Sequence, residues 1–324
     1  MIEIGFQFPD PRHRLAAVRL AHELRDRLPH ELTRRGTAWE LSAPAPDVVR
    51  FEYQFELIDK RGRSERVVDP GNPKTASGPW GAKSVWEEPG YEPPAWLNAG
   101  QPGEAKAVTI PSRILRNELP ALVWAHPDAT ASSPMLVAHD GPEYGEHSSL
   151  LTLLGGLPPL RATLIGPVDR NETYSASARY SRALVDEILP ALPSAPVRIG
   201  LGASLGALAL FHAHQRYPDT FDALFLQSGS FFRRAESYER NFPRYERIAR
   251  FVGGIHRNRP ERAIPVVLAC GTVEENLPAN KALAESLGQR GYDVRLHEFR
   301  DGHNWVAWRD SFQPHLGQLL ERVT

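Results

Sequence analysis

Hydrophobic and polar residues alternate with the two-residue period of β-strands at several places in the first hundred residues. The segments TAWELSA around Trp39 and VVRFEYQFELID from Val48 show this period, and Asp59–Gly62 supplies a hairpin turn after the second. The segment RLAAVRLAHELRDRL from Arg14 also fits a helical period, but we interpret most of it as strand and loop. A stretch dense in proline, glycine and tryptophan follows. We therefore predict a β-rich domain over residues 1–103 and a second domain over residues 104–324.

From Ala105 onward, short and nearly continuous apolar runs alternate with segments of helical length. After two strands, AVTIPSRIL and ELPALVWAHP, the apolar runs are PMLVAHDG, RATLIGPV, VRIGLGAS, FDALFLQSG and PVVLACGT, and RLHEF adds a further strand. The helical segments are ARYSRALVDEILPAL, SLGALALFHAHQRYP and LPANKALAESLGQRG. This alternation is typical of a parallel sheet covered by helices on both faces. One C-terminal helix is predicted from apolar residues at helical spacing: Trp308, Phe312, Leu316, Leu319, Leu320 and Val323.

Composition excludes several classes of protein. Lysine and arginine number 38 against 39 acidic residues, so a generally basic nucleic-acid binder and a charged membrane-surface protein are not expected. The single cysteine, Cys270, excludes an intrachain disulfide framework and a cysteine-based zinc site. No apolar run approaches the ~18–20 residues that cross a bilayer, and the N-terminus lacks a signal pattern. We expect a soluble cytoplasmic protein with a small-molecule partner and no metal or cofactor, and leave a homo-oligomer open.

The most specific local signal is the G-x-S-x-G pattern of residues 202–206. A predicted strand, VRIGLG, precedes Ser204, and a predicted helix follows it and stops at Tyr217–Pro218. A strand–turn–helix with small flanking residues lifts a serine hydroxyl clear of the sheet, and the helix N-terminus beneath it favours negative charge. We predict that Ser204 is a nucleophile. The alternative is a helix that begins with a serine N-cap between glycines.

A nucleophilic serine needs a base, and position selects among the 12 histidines. His212 and His214 lie on the helix behind the serine and are expected to face away from it. His303 lies in the loop RDGHNW after the last strand, where the carboxyl edge of the sheet presents residues towards the serine. We predict that His303 is the base. The alternative is an ordinary surface-loop histidine.

The base needs an orienting carboxylate, which in this fold lies between serine and histidine along the chain. Glu274 and Glu275 directly follow the run PVVLACGT, and either could reach the histidine. We choose Glu274, although both could instead cap the helix ahead of Pro278. Asp222, which precedes its strand, is poorly placed.

Two backbone N–H groups are needed to bind the oxyanion of the reaction. Leu205, directly after the nucleophile, should supply one. Gly141, in the loop after the strand of VAHDGPEY, should supply the other, because Pro142 has no N–H.

The segment from about Met135 to the C-terminus resembles the putative-esterase family, which includes enterochelin (enterobactin) esterases, esterase D and the mycolyltransferases. The matching segments are HDGPEY, GLGASLGALALFHAHQRYPDTF, LFLQSGSFF, CGTVEENLPAN and DGHNWVAWRD. The last is close to the histidine motif of enterochelin esterases, in which a Trp-Arg pair also follows the histidine. The resemblance implies an α/β-hydrolase fold preceded by a smaller β-rich, immunoglobulin-like domain. It also implies a Ser–His–acid esterase with these roles on Ser204, His303 and Glu274.

One departure and one further loop bear on the site. In the mycolyltransferase branch the residue after Asp-Gly donates the second oxyanion N–H, but here that residue is Pro142, so the donor must shift. The segment VDRNETYSASARY resembles the family's Arg-x-Glu substrate-side loop. Arg170 and Glu172 are therefore predicted to bind substrate and to form an ion pair at the rim, the alternative being a solvated loop. Trp305 is also predicted to bind substrate.

A strongly basic segment lies where this fold inserts a lid. Between Phe231 and Arg262 the chain has nine arginines (233, 234, 240, 244, 247, 250, 257, 259 and 262) against four glutamates (236, 239, 246 and 261), a formal charge of +5. Such a segment could attract an anionic ligand such as a ferric catecholate. It could equally be an exposed basic helix.

The sequence as a whole predicts a serine hydrolase of carboxylic esters that works through an acyl-enzyme. By resemblance, the favoured substrate is a siderophore trilactone of the enterochelin type. Two alternatives remain open. One is an acyltransferase of the same mechanism, and the other is a carbohydrate-binding or scaffold protein with a non-catalytic hydrolase domain.

Overall fold

The structure is a computed structural model that describes residues 2–100, 102–234, 240–255 and 261–324. Its contacts divide the chain into two units. The first unit contains Met1–Glu92, Thr272–Glu274 and Arg300–Ala307. The second contains Pro93–Gly271, Glu275–Phe299 and Trp308–Thr324. The predicted domain division after residue 103 stays a prediction.

The first unit is built from antiparallel strands. They are β1 (Glu3–Pro9), β2 (Leu15–His22), β3 (Thr33–Arg35), β4 (Ala38–Pro44), β5 (Arg50–Asp59), β6 (Ser64–Val67), β7 (Thr75–Ala76) and β8 (Lys83–Glu87). One sheet has the order β1-β4-β3, and the other has the order β2-β5-β8-β7 with β6 paired to β5. A 3-10 turn spans Arg25–Arg27. The β-rich, immunoglobulin-like character predicted for this part of the chain is confirmed.

Side chains from both sheets meet in one hydrophobic core. Ile4 and Phe6 on β1 are buried at alternate positions, as are Phe51, Tyr53 and Phe55 on β5. The segment from Arg14 forms strand β2, and the turn after β5 returns the chain into β6, so both predictions are confirmed.

The second unit contains an eight-stranded sheet and most of the helices. Its strands are β9 (Lys106–Ser112), β10 (Asn117–Ala125), β11 (Met135–His139), β12 (Arg161–Ile165), β13 (Arg198–Ala203), β14 (Ala223–Gln227), β15 (Pro265–Gly271) and β16 (Asp293–Phe299). The α-helices along the chain are α1 (Gly141–His147), α2 (Leu150–Gly155), α3 (Arg170–Thr173), α4 (Ala178–Ala183), α5 (Leu205–Arg216), α6 (Tyr245–Ile255), α7 (Leu277–Gly288), α8 (Trp305–Asp310) and α9 (His315–Glu321). Shorter 3-10 turns span Ala95–Ala99, Leu189–Ala191 and Pro218–Thr220.

The strand order of this sheet is β16-β15-β14-β13-β11-β12-β10-β9. The strands from β11 to β16 pair in parallel, whereas β10 is antiparallel to both of its neighbours. All five residues of β11 and of β14 are buried, as expected for strands covered on both faces. The α/β-hydrolase fold is confirmed. The parallel strands share one carboxyl edge, and Ser204 directly follows β13 at that edge.

Two predicted helices differ from those of the structure. The single helix predicted from Trp308 to Val323 is wrong, because α8 ends at Asp310 and α9 begins at His315. Pro314 lies between them, and a proline has no N–H to continue a helical ladder. The segment from Ala178 is helical as predicted, but α4 passes into a π-helical turn over Leu184–Ile188. Among the described residues, no helix is long and apolar enough to cross a membrane.

Candidate active site

Ser204 lies at the tight turn between β13 and α5. Its backbone has φ 55° and ψ −121°, a conformation that costs a non-glycine residue about 1–3 kcal/mol. A Cβ atom on Gly202 would lie 2.8 Å from the carbonyl carbon of Gly206, and one on Gly206 would lie 3.2 Å from the Cβ of His139. The two glycines let the strand and helix approach closely, and the serine takes the strained position of a nucleophile turn.

The hydroxyl of Ser204 lies beside the hydroxyl of Ser230, a residue that follows β14. Its Oγ lies 3.1 Å from Ser230 Oγ, and either group can donate this hydrogen bond. The backbone N–H of Ser230 also donates to the carbonyl oxygen of Ser204 at 3.1 Å. Ser230 is buried, and sequence reasoning assigned it no role, although it lies within the family-like segment LFLQSGSFF. It is thus a hydrogen-bond partner of the candidate nucleophile through both its side chain and its backbone.

The two predicted oxyanion donors are each the first residue of a helix. Leu205 begins α5, and Gly141 begins α1 after Asp140, whose φ of 50° is left-handed. The first N–H groups of a helix have no acceptor within that helix. A Cβ atom on Gly141 would lie 2.2 Å from the backbone of Leu164, so no larger residue fits at this position.

The ion pair predicted between Arg170 and Glu172 is wrong. Arg170 Nε and Nη2 donate to the two carboxylate oxygens of Asp140 at 2.8 Å each. Glu172 instead accepts from Arg244 Nε at 2.5 Å and from Arg247 Nη1 at 2.7 Å. Arg170 and Glu172 both lie in the single turn of α3, and residues two apart on a helix do not face each other.

A buried histidine joins the Asp140 loop to the nucleophile turn. Nδ1 of His139 lies 3.1 Å from the carbonyl oxygen of Gly206, and Nε2 lies 2.8 Å from the hydroxyl of Tyr180. Burial lowers the pKa of His139 to about 3, so the ring stays neutral near pH 7. With the Asp140–Arg170 pair, these contacts fix Gly141 beside the turn of Ser204 within the second unit.

The arginines that bind Glu172 line a cavity of about 770 Å³ in the second unit. The other lining residues are Arg234, Arg240, Phe242, Pro243, Tyr245, Glu246 and Arg250. Burial acts to raise the pKa of Glu172, but the hydrogen bonds from Arg247 and Arg244 lower it below its usual value. Five guanidinium groups outnumber the two carboxylates that contact them, Glu246 and Glu172, so the wall of this cavity is positive. Four members of the arginine-rich segment lie outside the described residues: Glu236, Glu239, Arg257 and Arg259.

The predicted base and acid contact each other in the first unit. His303 Nδ1 lies 2.7 Å from Glu274 Oε2. The Glu274 side chain is 2% exposed and that of His303 is 39% exposed. A carboxylate at Nδ1 fixes the tautomer in which Nδ1 carries the proton and Nε2 is the basic nitrogen.

The two histidines on α5 have structural partners instead. His212 Nδ1 lies 2.7 Å from Ser181 Oγ, and His214 Nε2 lies 3.1 Å from the carbonyl oxygen of Arg262. Burial lowers the pKa of both histidines to about 4. The expectation that they are not the base is consistent with these contacts.

The predicted site residues are thus divided between the two units. The second unit holds Ser204, Leu205, Gly141, Arg170 and Glu172, and the first holds His303, Glu274 and Trp305. Trp305 is the first residue of α8. Across the described residues, no group of three or more histidine, cysteine, aspartate or glutamate side chains is arranged to hold a metal ion.

Comparison with known proteins finds similarity to esterases. Residues 167–319 match the family model described as Putative esterase. The iron(III) enterobactin esterase of Escherichia coli O6:H1 (strain CFT073) is 25% identical over 301 residues, which cover 86% of this chain and 73% of that protein. The iron(III) enterobactin esterase of Dickeya dadantii (strain 3937) is 27% identical over 202 residues, which cover 56% of this chain and 46% of that protein.

Solved structures extend the likeness to nearly the whole chain. The enterobactin esterase of Shigella flexneri, crystallised in the presence of enterobactin, superposes with a TM-score of 0.80 at 21% identity, covering 99% of this chain and 94% of that one. The ferric enterobactin esterase of Salmonella typhimurium gives a TM-score of 0.76 at 20% identity, covering 98% and 93%. The fold, including the β-rich N-terminal part, is that of these enzymes. The resemblance to the putative-esterase family is confirmed, and it supports an esterase, a hydrolase of ester bonds.

Proposed function

We propose that this relative of the enterobactin esterases is a serine esterase that cleaves carboxylic esters through an acyl-enzyme formed on Ser204. The observation that carries the proposal is the positive φ of Ser204 at the turn between β13 and α5, with a glycine two residues away on each side. Strain of this kind is retained where it serves a function, and here it presents a hydroxyl above a helix N-terminus.

The proposed base and acid are His303 and Glu274. The acid follows β15, the histidine follows β16, and Ser204 follows β13, so all three come after parallel strands that share one carboxyl edge. The bond of Glu274 to Nδ1 leaves Nε2 of His303 as the nitrogen that exchanges protons. The carboxylate also stabilises the imidazolium that forms when the serine is deprotonated.

The proposed reaction has two halves. Ser204 Oγ attacks the ester carbonyl carbon while its proton passes to His303, and the N–H groups of Leu205 and Gly141 bind the oxyanion. The carbon–oxygen bond to the leaving alcohol then breaks, and His303 gives that alcohol its proton. In the second half His303 takes a proton from water, the resulting hydroxide attacks the acyl carbon, and Ser204 is released with its proton restored.

For the substrate we propose an anionic ester of the siderophore trilactone class. The arginine-lined cavity supports this choice, because guanidinium groups bind multiply charged oxygen ligands well. The two similar proteins are iron(III) enterobactin esterases, and this supports the same class of ester. Arg170 and Glu172 would contribute indirectly to substrate binding. Arg170 fixes the oxyanion loop through Asp140, and Glu172 fixes two arginines of the cavity. Trp305 remains a proposed substrate contact.

The test compares Ser204→Ala with Ser230→Ala. Both variants remove one hydroxyl from the same hydrogen bond, but only the first removes the proposed nucleophile. Ser204→Ala should lower kcat on the order of 10³-fold or more, whereas Ser230→Ala should retain most activity. The substrates are ferric enterobactin and a neutral short-chain ester, and products are identified by mass spectrometry with a sugar alcohol present. A tenth of wild-type activity in Ser204→Ala would overturn the proposal, and ester transfer to the sugar would replace it by an acyltransferase.

A further inference from the structure

Asn304, the residue after His303, uses its full hydrogen-bonding capacity within the first unit. Its Oδ1 accepts from Arg50 Nη1 at 2.9 Å and from a backbone N–H of α8 at 2.9 Å. Its Nδ2 donates to Glu23 Oε1 at 2.9 Å and to Asp301 Oδ1 at 3.1 Å. A side-chain amide has two acceptor positions and two donor hydrogens, and all four are occupied. The backbone beside His303 is therefore restrained through Asn304.

Arg50 is an unusual partner for a loop residue because its side chain is 2% exposed. It begins β5, and its Nη2 also donates to Glu52 Oε1 at 3.3 Å. Burial alone would lower the pKa of Arg50, but the carboxyl groups of Asp301 and Glu52 raise it, so the guanidinium stays charged. A buried charge costs several kcal/mol unless it is paired and hydrogen-bonded. Arg50 meets that condition through Asn304 and Asp301 of the loop and through Glu52 of its own strand.

Glu23 packs directly against the backbone of the same loop. It follows β2, and a Cβ atom on Gly302 would lie 2.7 Å from Glu23 Oε1. The N–H of Gly302 donates to Asp301 Oδ1 at 2.6 Å. A larger residue before His303 would therefore displace the side chain of Glu23 from its contact with Asn304.

The segments that carry His303 and Glu274 both contact residues of the N-terminal part of the first unit. Val49 N donates to the carbonyl oxygen of Arg300 at 2.7 Å, and Arg300 Nε donates to Asp47 Oδ1 at 2.8 Å. Val273, the neighbour of Glu274, is buried in the core of the first unit. Both partners of the acid–base pair are thus positioned by residues of the N-terminal part of the chain.

We propose that Arg50 and Glu23 are positioning residues, which act through Asn304 to hold His303 with Nδ1 on Glu274 and Nε2 left for proton transfer. This inference rests on the proposed esterase function. It gives two residues of the β-rich N-terminal part of the chain an effect on the chemical step, transmitted through Asn304 and His303. If Arg50 and Glu23 had only a structural role, their substitution would lower the stability of the protein without a specific loss of kcat.

The experiment uses the full chain and a neutral ester, p-nitrophenyl butyrate, so that substrate charge plays no part. Arg50→Met should lower kcat by about 10- to 100-fold with little change in KM, because a displacement of about 1 Å in a catalytic group costs up to about 10²-fold. Arg50→Lys should recover part of that loss, since a lysine can still donate to Asn304. Glu23→Gln keeps the shape of the side chain and should lower kcat by a smaller factor. The rate of fluorophosphonate labelling should fall in parallel with kcat.

Arg34→Met is the matched control for stability. Arg34 lies on β3 in the same unit and donates to Asp10 Oδ2 at 3.2 Å and to the carbonyl oxygen of Leu15 at 2.5 Å. This variant should lower Tm but keep kcat at a temperature where the protein is folded. If Arg50→Met does not fold, Glu23→Gln decides the question.

The outcomes separate the two proposals. Wild-type protein that is not labelled on Ser204 would defeat the esterase function itself. A wild type that is labelled on Ser204, together with folded Arg50 and Glu23 variants that keep the wild-type kcat and labelling rate, would overturn the positioning role alone. An equal loss of kcat in Arg34→Met at equal Tm would also overturn it.

Discussion

Ser204 is held in its strained backbone conformation by hydrogen bonds on both sides of the residue. Its N–H donates to the carbonyl oxygen of Gln227 at 2.9 Å, and its own carbonyl oxygen accepts from Ser230 N at 3.1 Å and Leu208 N at 3.2 Å. These bonds join the turn to β14 and to the first turn of α5. A residue in such a conformation persists because its surroundings determine it. The hydroxyl is therefore preorganised before any substrate arrives.

At the scale of single residues, the sequence predicted the features that depend on neighbouring residues in the chain. Gly202 and Gly206 surround Ser204 in the chain, and the turn they permit follows from their missing Cβ atoms. Ser230 and Arg50 carried no comparable signal. They meet Ser204 and Asn304 across sequence separations of 26 and 254 residues, which only the tertiary structure sets.

Glu274→Gln should lower kcat by about 10²-fold or more, but by less than Ser204→Ala. Glutamine can still accept from His303 Nδ1, but it cannot stabilise the imidazolium by charge. Glu275→Gln is the control and should have little effect on steady-state kinetics with a neutral ester. A greater loss in Glu275→Gln would exchange the two roles, and no loss in either variant would indicate a Ser–His dyad.

At the scale of elements, the loop between β16 and α8 and the C-terminal helices show what a sequence pattern can and cannot indicate. The spacing of apolar residues correctly placed buried helical faces near the C-terminus, because Trp308, Phe312 and Leu316 are all buried. The same spacing continues across Pro314, so periodicity alone did not indicate that the helix is interrupted there. The loop contained no periodicity at all, so its buried polar contacts could not be predicted.

Asp301 gives this loop a pH-dependent effect on stability. Burial raises its pKa to about 8, so the protonated form is favoured in the folded state. Its contribution is fully present below the unfolded pKa of about 3.9 and is lost as pH rises towards about 8. The free energy of unfolding should therefore fall from pH 5 to pH 8, by at most about 1.4 kcal/mol per pH unit from this group.

Asp301→Asn should flatten that slope in urea unfolding measured at pH 5, 6.5 and 8, because asparagine still accepts from Gly302 N without titrating. Asp10→Asn is the control. Burial acts to raise the pKa of Asp10, but hydrogen bonds from Arg14, Leu15 and Trp39 lower it overall, so its effect appears only at acid pH. An unchanged slope in Asp301→Asn would show that the carboxyl group is ionised across this range.

At the scale of the whole molecule, a formal net charge of −1 conceals an uneven distribution of charge. The positive cavity wall of the second unit contains Arg234, Arg240, Arg244, Arg247 and Arg250. The first unit contains instead the carboxyl groups Glu23, Glu52 and Asp301 around Arg50. The chain therefore combines a basic cavity in the unit of the proposed nucleophile with a polar network in the unit of the proposed base.

If the basic cavity binds an anionic substrate, kcat/KM for a ferric catecholate ester should fall several-fold as salt is raised to a few hundred millimolar. Exposed charges are screened beyond about 10 Å at 0.1 M ionic strength. Arg240→Gln with Arg250→Gln should raise KM for that substrate and spare p-nitrophenyl butyrate. Arg182→Gln, on an exposed position of α4, is the control. Equal effects on the charged and the neutral ester would remove the cavity from substrate binding.

The central claim is that Ser204 becomes acylated during catalysis, and its most direct test is covalent labelling of the wild-type protein. A fluorophosphonate should add one phosphonyl group per chain, peptide mapping should place it on Ser204, and ester hydrolysis should disappear in proportion to labelling. Ser204→Ala should take up no label under the same conditions. A wild-type protein that hydrolyses esters while Ser204 stays unmodified, or that carries the label on another residue, would contradict the account.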